Sequence, residues 1–296
     1  MSPFSPFDAA LAKIPTLPLQ VEVAGVSTAY WVYDMPGATR TIVMVHGFRG
    51  DHHGLEPIVA EMTEPYRVII PDLPGFGASS DFTGPASIDM YARWLSLFVA
   101  EVSPQKDTFI VGHSFGSIVV SAAIAGGLPA RSAALINPIA ANALKGPRGV
   151  MTRLAVFYYQ LAAWLPEKMG FALLRNAVIV RIMSVTMAKT KDSDLRAWIH
   201  DQHDRYFSHF NTREGVLSAF RTSVGTDVSM YVSALKLPLL LIVAERDDIT
   251  ALPQQVALHE RLPQSDIVVV PEVGHLVHYE APDFAASAIT RFMVDH

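Results

Sequence analysis

Short apolar runs separated by turn-forming clusters set the rhythm of the chain. Leu19 to Val23 and Ser27 to Tyr33, parted by Ala24-Gly25-Val26, predict a β-hairpin. Thr41-Ile42-Val43-Met44-Val45 is a continuous apolar run with no polar alternation, the pattern of a strand buried on both faces of a parallel sheet. Arg67 to Ile70, Thr108 to Val111, Ser132 to Asn137, Leu237 to Val243 and Ile267 to Val270 read as further strands. Between them apolar positions fall at helical spacing. Leu55 and Ile58 to Met62 form one such stretch, Met90, Trp94, Leu95, Phe98 and Val99 a second, and Phe284, Ala288 and Phe292 a third. Alternating β and α patterns predict a mostly parallel, doubly wound α/β sheet.

The rhythm breaks near Pro138. About a hundred residues with helical patterns and no convincing strand pass before Leu237 resumes the sheet, too long a gap for a loop. The expected organisation is therefore a core domain of residues 1–137 and 232–296, interrupted by a helical lid over 138–231. Residues 1–18 read as an irregular arm with Pro3, Pro6, Pro15 and Pro18.

Composition narrows the function. Half of the 296 residues are hydrophobic and 17 % charged, which supports a large core and excludes global disorder. A net charge of −5 gives no reason to expect a nucleic-acid partner. With no cysteine, disulfides, thiolate metal sites and cysteine nucleophiles are excluded. Met1 to Gln20 lacks a basic segment followed by an apolar one, so a signal peptide is not expected and a cytoplasmic location is. No membrane span is expected either, because the apolar stretches near Leu154 and Phe171 are interrupted by Pro166, Arg175 and Arg181.

The chemistry centres on Gly112-His113-Ser114-Phe115-Gly116, a G-x-S-x-G between a predicted strand and a predicted helix. That context is the nucleophile elbow, a turn so tight that glycines must flank its strained central serine. A serine hydroxyl needs a base, and the base an orienting group. His275, directly after the last predicted strand, is the candidate base, with His278 the runner-up. Asp247 and Asp248 follow the apolar run 239–243, at the C-terminal end of a parallel strand where α/β sites gather.

The order Ser, Asp, His and the motifs HGFRG (46–50), DLPGFGAS (72–79), GHSFG (112–116), AERDDIT (244–250) and VGHLVHYEAP (273–282) resemble the α/β-hydrolase superfamily from about residue 20 to the end. The resemblance implies the α/β-hydrolase fold, with Ser114, His275 and Asp247 as catalytic triad. Ala244 stands where that family's acid loop usually has glycine, which leaves Asp248 as the alternative acid. An acid after the preceding strand, seen in some relatives, would fall on Asn137, which is no carboxylate. The oxyanion hole is expected from the backbone N–H of Phe115 and, by resemblance, of Phe48, with His46 bracing the loop. Epoxide hydrolases and haloalkane dehalogenases of the superfamily carry aspartate at the elbow, and Ser114 argues against both.

The expected activity is cleavage of a carboxylic ester or related acyl bond of an apolar small molecule through an acyl-enzyme, with no cofactor and no metal. Alternatives on the same triad are C–C bond hydrolysis, acyl transfer and cofactor-free haloperoxidation, and outside catalysis a ligand-binding module. Arg49 is a candidate contact for an anionic substrate group or a solvated loop residue. Asp51-His52-His53 and the His200 to Asp204 stretch resemble metal ligands only in composition. Tyr158, Tyr159 and Trp164 are expected in the lid core, the alternative being a recognition box for substrate. Lys145 to Arg196 holds nine Lys/Arg against three Asp/Glu, a net +6 that leaves −11 for the remainder. A basic, apolar insertion of this kind suits a greasy acyl chain and allows peripheral contact with an anionic membrane, the alternative being that its apolar residues pack the lid onto the core and its charges face water.

Overall fold

The computed structural model describes residues 4–104, 107–142 and 149–296. Pro3 of the arm and residues 145–148 of the basic segment lie outside the described residues. The strands are β1 (Thr16–Val23), β2 (Val26–Asp34), β3 (Arg40–Val45), β4 (Tyr66–Pro71), β5 (Thr108–His113), β6 (Ser132–Ile136), β7 (Leu239–Ala244) and β8 (Ser265–Val270). They form one sheet in the order β1-β2-β4-β3-β5-β6-β7-β8. The hairpin β1–β2 and the β2–β4 pairing are antiparallel, and every other pairing is parallel.

Around the sheet lie α1 (Asp8–Leu11), α2 (Glu56–Ala60), α3 (Ile88–Val102), α4 (Phe115–Ala125), α5 (Gly149–Trp164), α6 (Glu167–Leu174), α7 (Ala177–Met187), α8 (Ser193–Tyr206), α9 (Arg213–Gly225), α10 (Leu252–His259), α11 (Val277–Glu280) and α12 (Pro282–Asp295). The short α1, α10 and α11 have no counterpart among the elements expected from the sequence.

The continuous apolar runs are buried on both faces, because successive side chains of a strand point to opposite sides. Val43, Val45 and Ile110 pack with Trp94, Phe98 and Ile118 of α3 and α4. Their neighbours Ile42, Met44 and Val111 pack with Ile58 and Phe292 of α2 and α12. The register sets Val45 beside Gly112 and His113 beside Ile136, so β3, β5 and β6 end together at one edge.

Between β6 and β7 the described residues form five α-helices, α5 to α9, and no strand. This insertion is tied to the loop after β4 by a bridge between Phe76 and Phe210 and by the Gly77 amide donating to the His209 carbonyl (2.8 Å). The apolar stretch near Phe171 is the one candidate span among the described residues. Residues 167–187 do form a stretch apolar and long enough, by length and composition, to cross a membrane, with mean hydropathy 1.4 and only 22 % of it buried. It bends between α6 and α7, where the Asn176 side chain accepts from the amides of Val178 and Ile179 and starts a new helix. Each of the two helices alone is too short to span a bilayer.

Candidate active site

Ser114 sits between the end of β5 and the first residue of α4, at φ 53° and ψ −117°. A non-glycine residue pays about 1–3 kcal/mol for such a conformation, and it persists only where its surroundings enforce it. Here the Ser114 amide donates to the Ile136 carbonyl (3.0 Å), and Ser117 Oγ donates to the Ser114 carbonyl (2.5 Å). The turn is also too tight for side chains on either flank. A Cβ on Gly112 would lie 2.6 Å from the Gly116 carbonyl oxygen, and one on Gly116 would lie 2.3 Å from that of Val45.

The loop after β8 brings His275 to the same edge. Ser114 Oγ–H donates to His275 Nε2 over 2.8 Å, and His275 Nδ1–H donates to Asp247 Oδ2, also over 2.8 Å. The direction follows from chemistry, since a carboxylate only accepts and the other ring nitrogen is then free to receive the hydroxyl proton. Asp247 Oδ1 accepts from the amides of Ile249 (2.7 Å) and Thr250 (3.0 Å), so the carboxylate is buried with both oxygens engaged. The adjacent Asp248 turns away and forms an ion pair with Lys189 of the insertion.

His278, the runner-up base, is not in this chain. Its ring lies 4.1 Å from that of His113, and its buried Nδ1 has no hydrogen-bond partner among the described residues. Burial, followed by the neighbouring His113, pushes its pKa well below the usual histidine value. Burial, with nearby His275, takes His113 down to about 3.

The loop after β3 lies beside the elbow, close enough that a Cβ on Gly47 would stand 3.2 Å from Ser114 Cβ. Within it His46 accepts from the Leu73 amide at Nε2 (2.8 Å) and donates from Nδ1 to the Gly47 carbonyl (2.8 Å). With both ring nitrogens engaged and burial lowering its pKa, His46 is a brace. The amide of Phe115 is the first of α4, a position with no partner inside the helix. The Phe48 ring contacts Phe76 and Phe115 from the sheet side and Tyr159 and Phe220 from the insertion, at centroid distances of 5.8–6.5 Å.

Three further residues, none singled out from the sequence as part of the site, hold this arrangement. Asn137, at φ 44°, donates from Nδ2 to the His275 carbonyl (2.9 Å) and accepts from the Ala244 amide (2.8 Å). It thereby links the histidine loop to the end of β7. Glu280 accepts from the amides of Lys189 (2.5 Å) and Thr190 (2.6 Å) with one oxygen and from Gly274 (3.2 Å) with the other. Lys189 completes the junction through Asp248, and its chain fills the space beside Gly274, where a Cβ would meet it at 2.7 Å.

Arg49 corrects both readings of it. It is 1 % exposed, neither solvated nor presented to a substrate. Its guanidinium donates to the carbonyls of Phe207 (3.0 Å) and Leu174 (2.7 Å) and to the Tyr159 hydroxyl (3.2 Å), and lies over the Phe207 and Phe210 rings. It ties the Gly47 loop to three places in the insertion. Tyr159 is buried and stacked on Phe220 (3.7 Å), and the half-buried Tyr158 donates to the Leu173 carbonyl. Trp164, by contrast, is 74 % exposed, against the expectation that it packs inside.

Asp51, His52 and His53 are the one group among the described residues whose ligand atoms, all within 4.8 Å of one another, could hold a metal ion. Their geometry has another explanation, because His52 Nδ1 pairs with Asp72 (2.9 Å) and His53 Nδ1 with Asp51 (3.1 Å). His200 and His203 both turn Nδ1 to Ser184 Oγ at 2.6 Å. His203 is buried, and burial, with His200, lowers its pKa to about 3.

A sequence model of the alpha/beta hydrolase family matches residues 42–288. The chain is 26 % identical over 276 residues to the uncharacterized hydrolase YugF of Bacillus subtilis, covering 92 % of this chain and 96 % of that one. It is 24 % identical over 259 residues to a pimeloyl-[acyl-carrier protein] methyl ester esterase of Aeromonas hydrophila, covering 85 % and 94 %. Among solved structures, a thermophilic esterase from Thermogutta terrifontis superposes with a TM-score of 0.72 at 22 % identity, over 94 % of this chain and 98 % of that one.

Proposed function

The chain belongs to the alpha/beta hydrolase family, and from that premise we propose that it is a serine hydrolase cleaving a carboxylic ester or related acyl bond through an acyl-enzyme. The observation that carries the reading is the unbroken relay Asp247–His275–Ser114, with 2.8 Å at each step. The similar esterases point the same way.

In this mechanism Ser114 Oγ attacks the acyl carbon while His275 Nε2 takes its proton. Asp247 keeps the imidazole in the tautomer that can accept and stabilises the imidazolium that forms. The negative oxygen of the tetrahedral intermediate is held by the amides of Phe48 and Phe115, the second at a helix N-terminus. His275 returns the proton to the leaving alcohol, then draws a proton from the water that attacks the acyl-enzyme and passes it to Ser114 Oγ as the acid leaves. The chain's own residues supply every group these steps need.

Residues 138–231 act in this proposal as a lid. The aromatic contacts between Phe48 and the Tyr159–Phe220 stack suit an apolar acyl group. A fluorophosphonate should label Ser114 once per chain, and Ser114→Ala should abolish labelling and p-nitrophenyl ester turnover while the protein stays folded. Labelling of another serine, or turnover surviving in the variant, overturns the mechanism. Along acetate, butyrate and hexanoate, kcat/KM should rise by up to about fourfold per methylene until the pocket fills. A steep fall from acetate would reject the apolar acyl group and leave the triad standing.

A further inference from the structure

Two of the insertion helices turn apolar side chains outward in a regular pattern. On α5 Leu154, Phe157, Leu161 and Trp164 are exposed, spaced three, four and three residues apart, so they share one face. The other side of that helix is buried through Tyr159 and Ala162. On α7 Val178, Ile182 and Val185 are exposed at spacings of four and three, while Val180 and Ser184 face inward. Met169 continues the pattern on α6. A helix lying on a protein in water carries polar residues on its outer face. These carry apolar residues on both sides.

The charges on these helices are mostly positive. Between residues 153 and 187 stand Arg153, Lys168, Arg175 and Arg181 against Glu167 alone. Arg181 is paired with Asp204 of α8, and Arg175 lies over the Phe171 ring while staying exposed. The rest of the chain carries a net charge of −8, since the whole is −5 and this segment +3.

We infer that the outer face of α5, α6 and α7 docks on an anionic phospholipid bilayer, with the apolar side chains seated among the acyl chains and the basic residues at the headgroups. Interfacial helices combine these features, and anionic lipid strengthens their attachment. A second copy of the chain meets the same apolar face less well, since a two-fold contact sets one basic surface against another. The bilayer offers opposite charge.

The test uses the full chain carrying Ser114→Ala, so that binding is read without turnover and independently of the proposed chemistry. Vesicles of equal phosphatidylglycerol and phosphatidylcholine should co-sediment it, vesicles of phosphatidylcholine alone much less, and 0.5 M NaCl should weaken the anionic binding. Because Trp164 is exposed, its emission should shift to the blue on binding. Phe157→Ser with Trp164→Ser should weaken partitioning on the order of tenfold or more. Arg153→Glu with Lys168→Glu should abolish the preference for anionic lipid. Both pairs should leave the unfolding temperature essentially unchanged, since the replaced side chains face water. Failure to bind either vesicle overturns the inference, as does binding insensitive to both pairs. A concentration-dependent dimer in sedimentation velocity that Phe157→Ser dissolves would assign the face to a second copy instead.

Discussion

In α4 the side chains of Ile118, Val119 and Val120 are all buried, whereas in α7 those of Val178, Ile182 and Val185 stand in water. Both helices are eleven residues long and both are apolar. Their difference lies in what surrounds them. α4 is packed against the sheet and α3, with its glycine-flanked entry fixed by β3 and β6. α7 touches the rest of the chain along one side. A helix apolar all round is stable only where something covers it all round, and for α4 the sheet and its neighbours do so.

The largest contrast across the two regions concerns neighbouring carboxylates. Asp247 faces His275 and Asp248 faces Lys189 of the insertion. Asp247→Asn should lower kcat on the order of 10⁴-fold, because an amide cannot hold the imidazolium or fix its tautomer. Asp248→Asn removes a charge from a partly exposed ion pair with Lys189 and should cost far less. Steady-state kinetics on one p-nitrophenyl ester checks both, and reversed magnitudes would exchange the roles of the two residues.

Next comes a pair of identical truncations. Ile118→Ala opens a cavity beneath the elbow and should cost about 2–5 kcal/mol of unfolding free energy. Ile182→Ala, on the exposed stripe, should change it by no more than about 0.5 kcal/mol. Urea unfolding measures the two side by side, and equal losses would mean that α7 is covered in the isolated protein.

The third contrast is at the seam, where His278 of the sheet domain lies against His113 and near His203 of the insertion. All three are held neutral by burial, with pKa values below that of a free imidazole. The unfolded chain takes up protons below pH about 6.5 that the folded one refuses, so stability falls as pH drops from there toward 3. Each imidazole contributes up to about 1.4 kcal/mol per pH unit. Urea midpoints between pH 7.5 and 5 should show this decline, and His203→Gln should flatten it by one proton. An unchanged slope in that variant would contradict a neutral, buried His203.

What could be read from the sequence follows the same division. The elbow is local, five residues between a strand pattern and a helix pattern, and the strands around it are continuous apolar runs. Asp247 was identifiable because a motif and a strand end coincide there. The roles of Asn137 and Glu280 were not, because their partners are backbone amides and carbonyls from distant segments, groups every residue possesses, and the inward turn of Arg49 depends on segments more than a hundred positions away. Glu280 reaches Lys189 and Thr190 some ninety positions away. The exposure of Trp164 was equally hidden, since helical spacing marks a shared face without saying whether that face points inward.

The insertion leaves the sheet after β6 and returns at β7, and these two strands are paired, with Ala133 opposite Leu239. Its ends are therefore held together by the sheet whatever lies between them. The entropy of closing a loop grows only with the logarithm of its length, so about a hundred residues here cost roughly 2.5 kcal/mol more than a six-residue turn. A cassette joined at two adjacent strand ends can be lengthened, shortened or exchanged with little penalty to the sheet. The elbow, whose glycines touch neighbouring backbone, has no such latitude. Variation in what this scaffold handles is thus channelled into the one segment where changing length is inexpensive.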